Sequence, residues 1–164
     1  MSIIVEGYAA IFGTPDKSGD VIQRGAFSDW LKAIGSDLVL PIYWTHDHSK
    51  QVGGKLTAMP IGATMLIAQR DAGLYFKAQL ASSPKAAAVA ELVRLGAATG
   101  SSIGYSVLDG GEKRIKGGGR ALERLAVGEI SITPTGRAMH PAAFVRPAAA
   151  GEAPVAETQE GVAA

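Results

Sequence analysis

Leu74, Phe76, Ala78 and Leu80 alternate with Tyr75, Lys77 and Gln79, a two-residue period that predicts a strand with one face in the core. Short apolar runs over Ile3–Phe12, Leu38–Trp44, Val52–Ala58, Thr64–Gln69, Ser101–Leu108, Leu122–Thr133 and Ala142–Val145 read as further strands, bounded by Gly, Pro and Asp. Pro41 cannot donate to a ladder, so its run is expected at a sheet edge or bulge. Asp71-Ala72-Gly73 joins two runs as a turn, and Gly13 to Asp20 is rich enough in turn residues to be an ordered loop.

A helical period replaces the strand period twice. Phe27, Trp30, Leu31 and Ile34 share a face over Ala26–Ile34, which Gly35 can terminate. Ser83 as N-cap and Pro84 at the first helical position open a second helix, with Val89, Leu92 and Val93 on one side and Gly96 as its stop. The fold class is therefore mainly β. About seven strands with flanking α-helices in so small a domain point to a closed or nearly closed barrel, because open sheets would leave long edges. Residues 1–147 read as that domain, and residues 148–164, rich in Ala, Glu, Pro and Gly, as a disordered tail.

The composition removes several chemistries. The 164 residues include no cysteine, which excludes thiol nucleophiles, thiolate metal sites and disulfides. Sixteen basic against fifteen acidic residues, net +1, leave no electrostatic footprint for nucleic acid or an anionic membrane. The basic run Glu112-Lys113-Arg114-Ile115-Lys116 lies between glycines and reads as a solvated hairpin tip. With no basic leader and no apolar run of about 20 residues, the expectation is a soluble protein used inside a cell.

Candidate chemistry gathers in three places. Alternation sets Ser102, Gly104 and Ser106 on one strand face and Ser101, Ile103 and Tyr105 on the other. If Ile103 and Tyr105 face the core, Ser102 looks outward, and the small Gly104 leaves room for a substrate carbonyl; Ser101 is the competing hydroxyl. A hydroxyl is a weak nucleophile without a base, and His46 or His48 could serve, an imidazole being suited to proton transfer near neutrality. Glu129 and Ser131 share a face, and a carboxylate there could orient an imidazole; His140 is the alternative third residue. Gly136 and Arg137 form a turn whose amides are oxyanion candidates, with Arg120 as another source. His46-Asp47-His48 also admits a metal reading, completed by Asp47, Glu129 or His140, but no second short-spaced ligand pair accompanies it. No cofactor or metal is expected.

Several of these segments together carry a resemblance. Gly7-Tyr8-Ala9-Ala10-Ile11-Phe12-Gly13, Asp16, Gly19-Asp20, Gly25-Ala26-Phe27, Trp44 to Asp47, Ser102-Ile103-Gly104-Tyr105 and Glu129-Ile130-Ser131-Ile132 follow one another as in the prohead (capsid maturation) proteases of tailed phages. The resemblance spans roughly residues 3 to 146. That family is similar in fold and catalytic order to the herpesvirus maturational proteases. The resemblance implies a serine endopeptidase with Ser102 as nucleophile and His46, followed directly by an acid, as base. Glu129 would be the third residue, or His140, since the herpesvirus class has a histidine there. It also implies major capsid protein and scaffold segments as polypeptide substrates, the chain's own tail among them. Self-association and action in the host cytoplasm inside an assembling procapsid follow in the same way, with no nucleic acid or membrane partner.

Overall fold

The computed structural model describes residues 3–47, 51–52, 55–56 and 58–149. In chain order the elements are β1 (Ile4–Ile11), β2 (Val21–Ile22), α1 (Ser28–Ile34), β3 (Pro41–Trp44), β4 (Gln51–Val52), β5 (Lys55–Leu56), β6 (Gly62–Arg70), β7 (Gly73–Leu80), α2 (Pro84–Arg94), β8 (Gly100–Val107), β9 (Glu112–Arg114), β10 (Arg120–Leu122), β11 (Leu125–Thr133) and β12 (Phe144–Pro147). Seven of them close into a barrel in the order β1-β12-β8-β11-β3-β6-β7. Its neighbouring strands are antiparallel except β11 and β3, which run parallel.

The alternation in β7 has the expected consequence: Leu74, Phe76, Ala78 and Leu80 are buried in the barrel beside Val5, Ile42, Ile130, Ile132 and Val145. The outer face of β7 is covered as well. Tyr75 donates to Glu6 Oε2 at 2.8 Å and lies under the Arg70 guanidinium, and both Tyr75 and Lys77 are buried. Phe27 plugs the barrel beside Phe12 and Trp30 and immediately precedes α1, whose last turn ends on Gly35 at φ 77°. Ser83 Oγ accepts from Ala86 N and opens α2, which buries Ala86, Val89, Ala90 and Val93 and packs on β7 and β12.

Three expectations are corrected. Pro41 marks neither an edge nor a bulge: β3 is an interior strand, and Pro41 is its first residue, opposite Ala63 and one position before the ladder to β11 starts at Ile42. Within Val52–Ala58, β4 and β5 pair with each other and not with the barrel. The run Leu122–Thr133 is two strands. Gly111 O takes the amides of Glu123 and Arg124 (2.6 and 3.2 Å), so the chain leaves a small sheet of order β2-β10-β9 before joining the barrel as β11.

One seam stays open. β12 occupies the position between β1 and β8, yet it is four residues long. It pairs with β1 over Val5–Tyr8 and with β8 at Gly100, so the end of β1 and the middle of β8 face each other across a cleft of about 200 Å³ lined by Ala10, Ile11, Ile103 and Tyr105 among others. Because Phe76 is fully buried opposite this seam's supporting strand, Phe76→Ala is expected to cost about 3–5 kcal/mol, read as a lower urea midpoint at unchanged slope.

Candidate active site

β8 and β11 pair with Ser102 opposite Ser131, Gly104 opposite Glu129, Ile103 opposite Ile130 and Ser101 opposite Ile132. Residues directly opposite share a face, so Ser102 and Gly104 lie with Glu129 and Ser131, while Ser101 and Ile103 lie with the core isoleucines. Ser101 is fully buried with its Oγ unbonded; Ser102, expected to look outward, is on the site face but is itself only 8% exposed. The phase of β11 depends on an irregularity. Leu125 and Val127 are core residues, as are Ile130 and Ile132, and this odd-to-even switch is taken up by a register shift between Val127 and Glu129. The extra residue is Gly128. Without that bulge Glu129 would share the core face of Val127.

His46 comes from the end of β3. Thr45 N donates to Ile132 O at 3.0 Å, and Thr45 and His46 then adopt φ of 51° and 55°, a left-handed turn that non-glycine residues enter at a cost. The turn is held by the site itself: His46 N donates to Ser131 Oγ at 3.1 Å. Ser131 Oγ donates in turn to Glu129 Oε2 at 2.8 Å, and Glu129 Oε1 takes the His46 Nδ1 hydrogen bond. On the other side of the turn Lys85 of α2 pairs with the buried Asp47. The Glu129 side chain is 5% exposed and that of His46 37%, so the carboxylate is desolvated behind an imidazole that reaches the cleft. The carboxylate is an acceptor, so it suits the tautomer that carries a hydrogen on Nδ1 and leaves Nε2 as the ring's other nitrogen.

Gly104 serves this pair. A Cβ at residue 104 would lie 2.6 Å from Glu129 Oε1, so the space expected for a substrate carbonyl holds the Glu129 carboxylate instead.

Ser102, His46 and His140 line the same cleft, but His140 stands in another wall and is engaged elsewhere. Ala142 N donates to its Nδ1 at 3.0 Å and its Nε2 meets Thr14 Oγ1 at 2.8 Å; burial lowers its pKa. Gly136 and Arg137 are not among the cleft's lining residues. Arg137 N donates to Pro134 O at 3.0 Å, within its own turn. Arg120 does line the cleft, yet its amide donates to Asp20 Oδ1 at 2.9 Å and its guanidinium bridges Asp20 and Glu112. The metal reading relied on His48, which lies outside the described residues. Ser131, Lys85 and Asp20 were not foreseen as site supports. The face that Ser131 shares with Glu129 was the sequence signal for the first of them.

Comparison with known proteins gives these positions a context. A family model for the caudovirus prohead serine protease matches residues 1–148. The chain belongs to the caudovirus prohead serine protease family. One family relative, the prohead protease of Enterobacteria phage HK97, is 30% identical over 105 residues, 63% of this chain and 42% of that protein. The chain therefore matches less than half the length of that curated relative. Among solved structures, the KSHV protease in complex with a hexapeptide phosphonate inhibitor aligns with TM-score 0.52 at 14% identity, covering 81% of this chain and 60% of that one. This chain's barrel is thus similar in fold to that herpesvirus protease.

The Arg120 guanidinium beside Asp20 holds that carboxyl below its usual range. A depressed carboxylate pKa contributes stability above the unfolded value that is lost as pH falls through the folded one. Asp20→Asn is accordingly expected to destabilise the protein at neutral pH and to lose less stability than the parent below about pH 4, checked by denaturant titration across pH.

Proposed function

We propose that this chain is a serine endopeptidase of prohead maturation, in which Ser102, His46 and Glu129 act together. The observation that supports it best is the chain of contacts Ser131–Glu129–His46 behind a cleft that His46 and Ser102 both line. Ser102 Oγ attacks the substrate carbonyl and gives its proton to His46 Nε2; Glu129 stabilises the imidazolium. The C–N bond then breaks as the proton passes to the leaving amine, and water, activated by the same nitrogen, releases the acyl group from Oγ. Ser131 is a positioning residue, fixing both Glu129 and the His46 backbone.

An extended polypeptide fits the open seam. Val145 N donates to Thr99 O at 2.9 Å, and alternation turns the backbone groups of Ser101, Ile103 and Tyr105 toward the same edge. Among the described residues no strand pairs with that edge beyond Gly100, so a substrate strand can add there. By family, the substrates are capsid or scaffold segments inside the procapsid, with the chain's residues after Pro147 as a further one. Among the described residues no helix is long and apolar enough to cross a membrane. The rival reading is a non-enzymatic assembly module of the same fold.

A fluorophosphonate probe separates the two. Labelling is expected on Ser102 by peptide mass spectrometry, abolished in Ser102→Ala and His46→Ala; a folded, unlabelled parent would favour the assembly module. Glu129→Gln is expected to slow turnover by about 10²–10⁴-fold, the range for an orienting carboxylate. Gly104→Ala, by displacing the same carboxylate, should lower kcat while leaving KM within about threefold.

A further inference from the structure

The cleft beside Ser102 combines apolar sides with charged groups that are not all paired among the described residues. Ala10, Ile11, Ile22 and Ile103 supply the apolar surface, and Asp16, Asp20 and Arg120 the charges. Asp20 and Arg120 neutralise each other, with Arg120 Nη2 2.6 Å from Asp20 Oδ2, and the remaining reach of Arg120 goes to Glu112 at 2.6 Å. Lys17, next in sequence, turns away to donate to Gly136 O at 2.9 Å. Asp16 is left. Its Oδ1 accepts from the amides of Ser18 and Asp20 at 2.8 and 3.0 Å, which fixes the carboxylate, and among the described residues no Lys or Arg forms an ion pair with it. Its field reaches the cleft residues His140 and Tyr105, where it opposes and reinforces, respectively, the larger effect of burial.

We propose that Asp16 is a specificity-determining residue that selects a lysine or arginine side chain close to the scissile bond. The inference rests on the endopeptidase reading above. A long apolar stem ending in a cation matches this lining: the methylenes lie along Ala10, Ile11 and Ile103, and the charged tip meets Asp16. A glutamate in the same place meets a like charge, which rejects it. With Oδ1 already taken by two amides, Oδ2 is the acceptor that remains, an arrangement better suited to the point charge of lysine than to the two-pronged guanidinium.

The test uses the full chain and a positional-scanning set of quenched fluorogenic decapeptides carrying Lys, Arg, Gln, Met or Glu at each position. At one position, Lys over Gln should raise kcat/KM by about 10–100-fold, the span of a charge-assisted contact, with Glu poorest. In Asp16→Asn, where the side-chain oxygen can still accept from Ser18 and Asp20, the Lys-to-Gln ratio should collapse toward one. The same pairs are measured for binding to Ser102→Ala and Ser102→Ala/Asp16→Asn by fluorescence anisotropy, which needs no turnover. A Lys preference that survives Asp16→Asn, or no Lys preference in binding to Ser102→Ala, overturns the proposal. Lys-selective, Asp16-dependent binding without fluorophosphonate labelling of the parent would uphold the subsite and overturn the endopeptidase reading.

Discussion

The site is organised around one buried carboxylate. Glu129 is held on one oxygen by Ser131 and on the other by His46, in a place where a lone carboxylate would be costly to desolvate. Each neighbouring feature makes that burial tolerable. The bulge at Gly128 turns the side chain out of the core, Gly104 leaves the volume it fills, and the left-handed turn at Thr45 and His46 brings the imidazole over it. That turn is the local cost, and the hydrogen bonds from His46 N and Thr45 N are what offset it.

The barrel contributes rigidity and an opening at once. Parallel pairing of β3 with β11 delivers the histidine loop to the same end of β11 as Ser131, and antiparallel pairing with β8 sets Ser102 opposite. Three strands adjacent in the sheet but far apart in sequence thus supply one side chain each. The shortness of β12 leaves β8 accessible at that level, and the loop from Gly13 to Asp20, tied to β10 through Asp20 and Arg120, stands over the gap with Asp16.

Much of the fold could be read along the chain. The strict alternation of β7, the capped helix from Ser83 to Gly96 and the turn-rich loop after β1 are set by contacts within a few residues. The family segments extended that reading to Ser102, His46 and Glu129, and the cleft contains or adjoins all three. Other features escaped it. Pro41 looked like an edge residue because its missing amide is visible in sequence, whereas the neighbour that would have needed that amide is not. Gly104 looked like room for substrate because its missing side chain gives no hint of which atom fills the space.

The sequence by itself determined the periods, the caps, the absence of thiol chemistry and the order of the candidate residues, since each is a property of one side chain or of near neighbours. Tertiary structure alone decided that Glu129, and not His140, meets His46 Nδ1, that the Arg137 amide donates within its own turn, and that Asp20 pairs with Arg120 while, among the described residues, no Lys or Arg forms an ion pair with Asp16. Those outcomes depend on which distant strands pair and in what register. A register shift of one residue would send Ser102 and Glu129 to opposite faces without changing a letter of the chain.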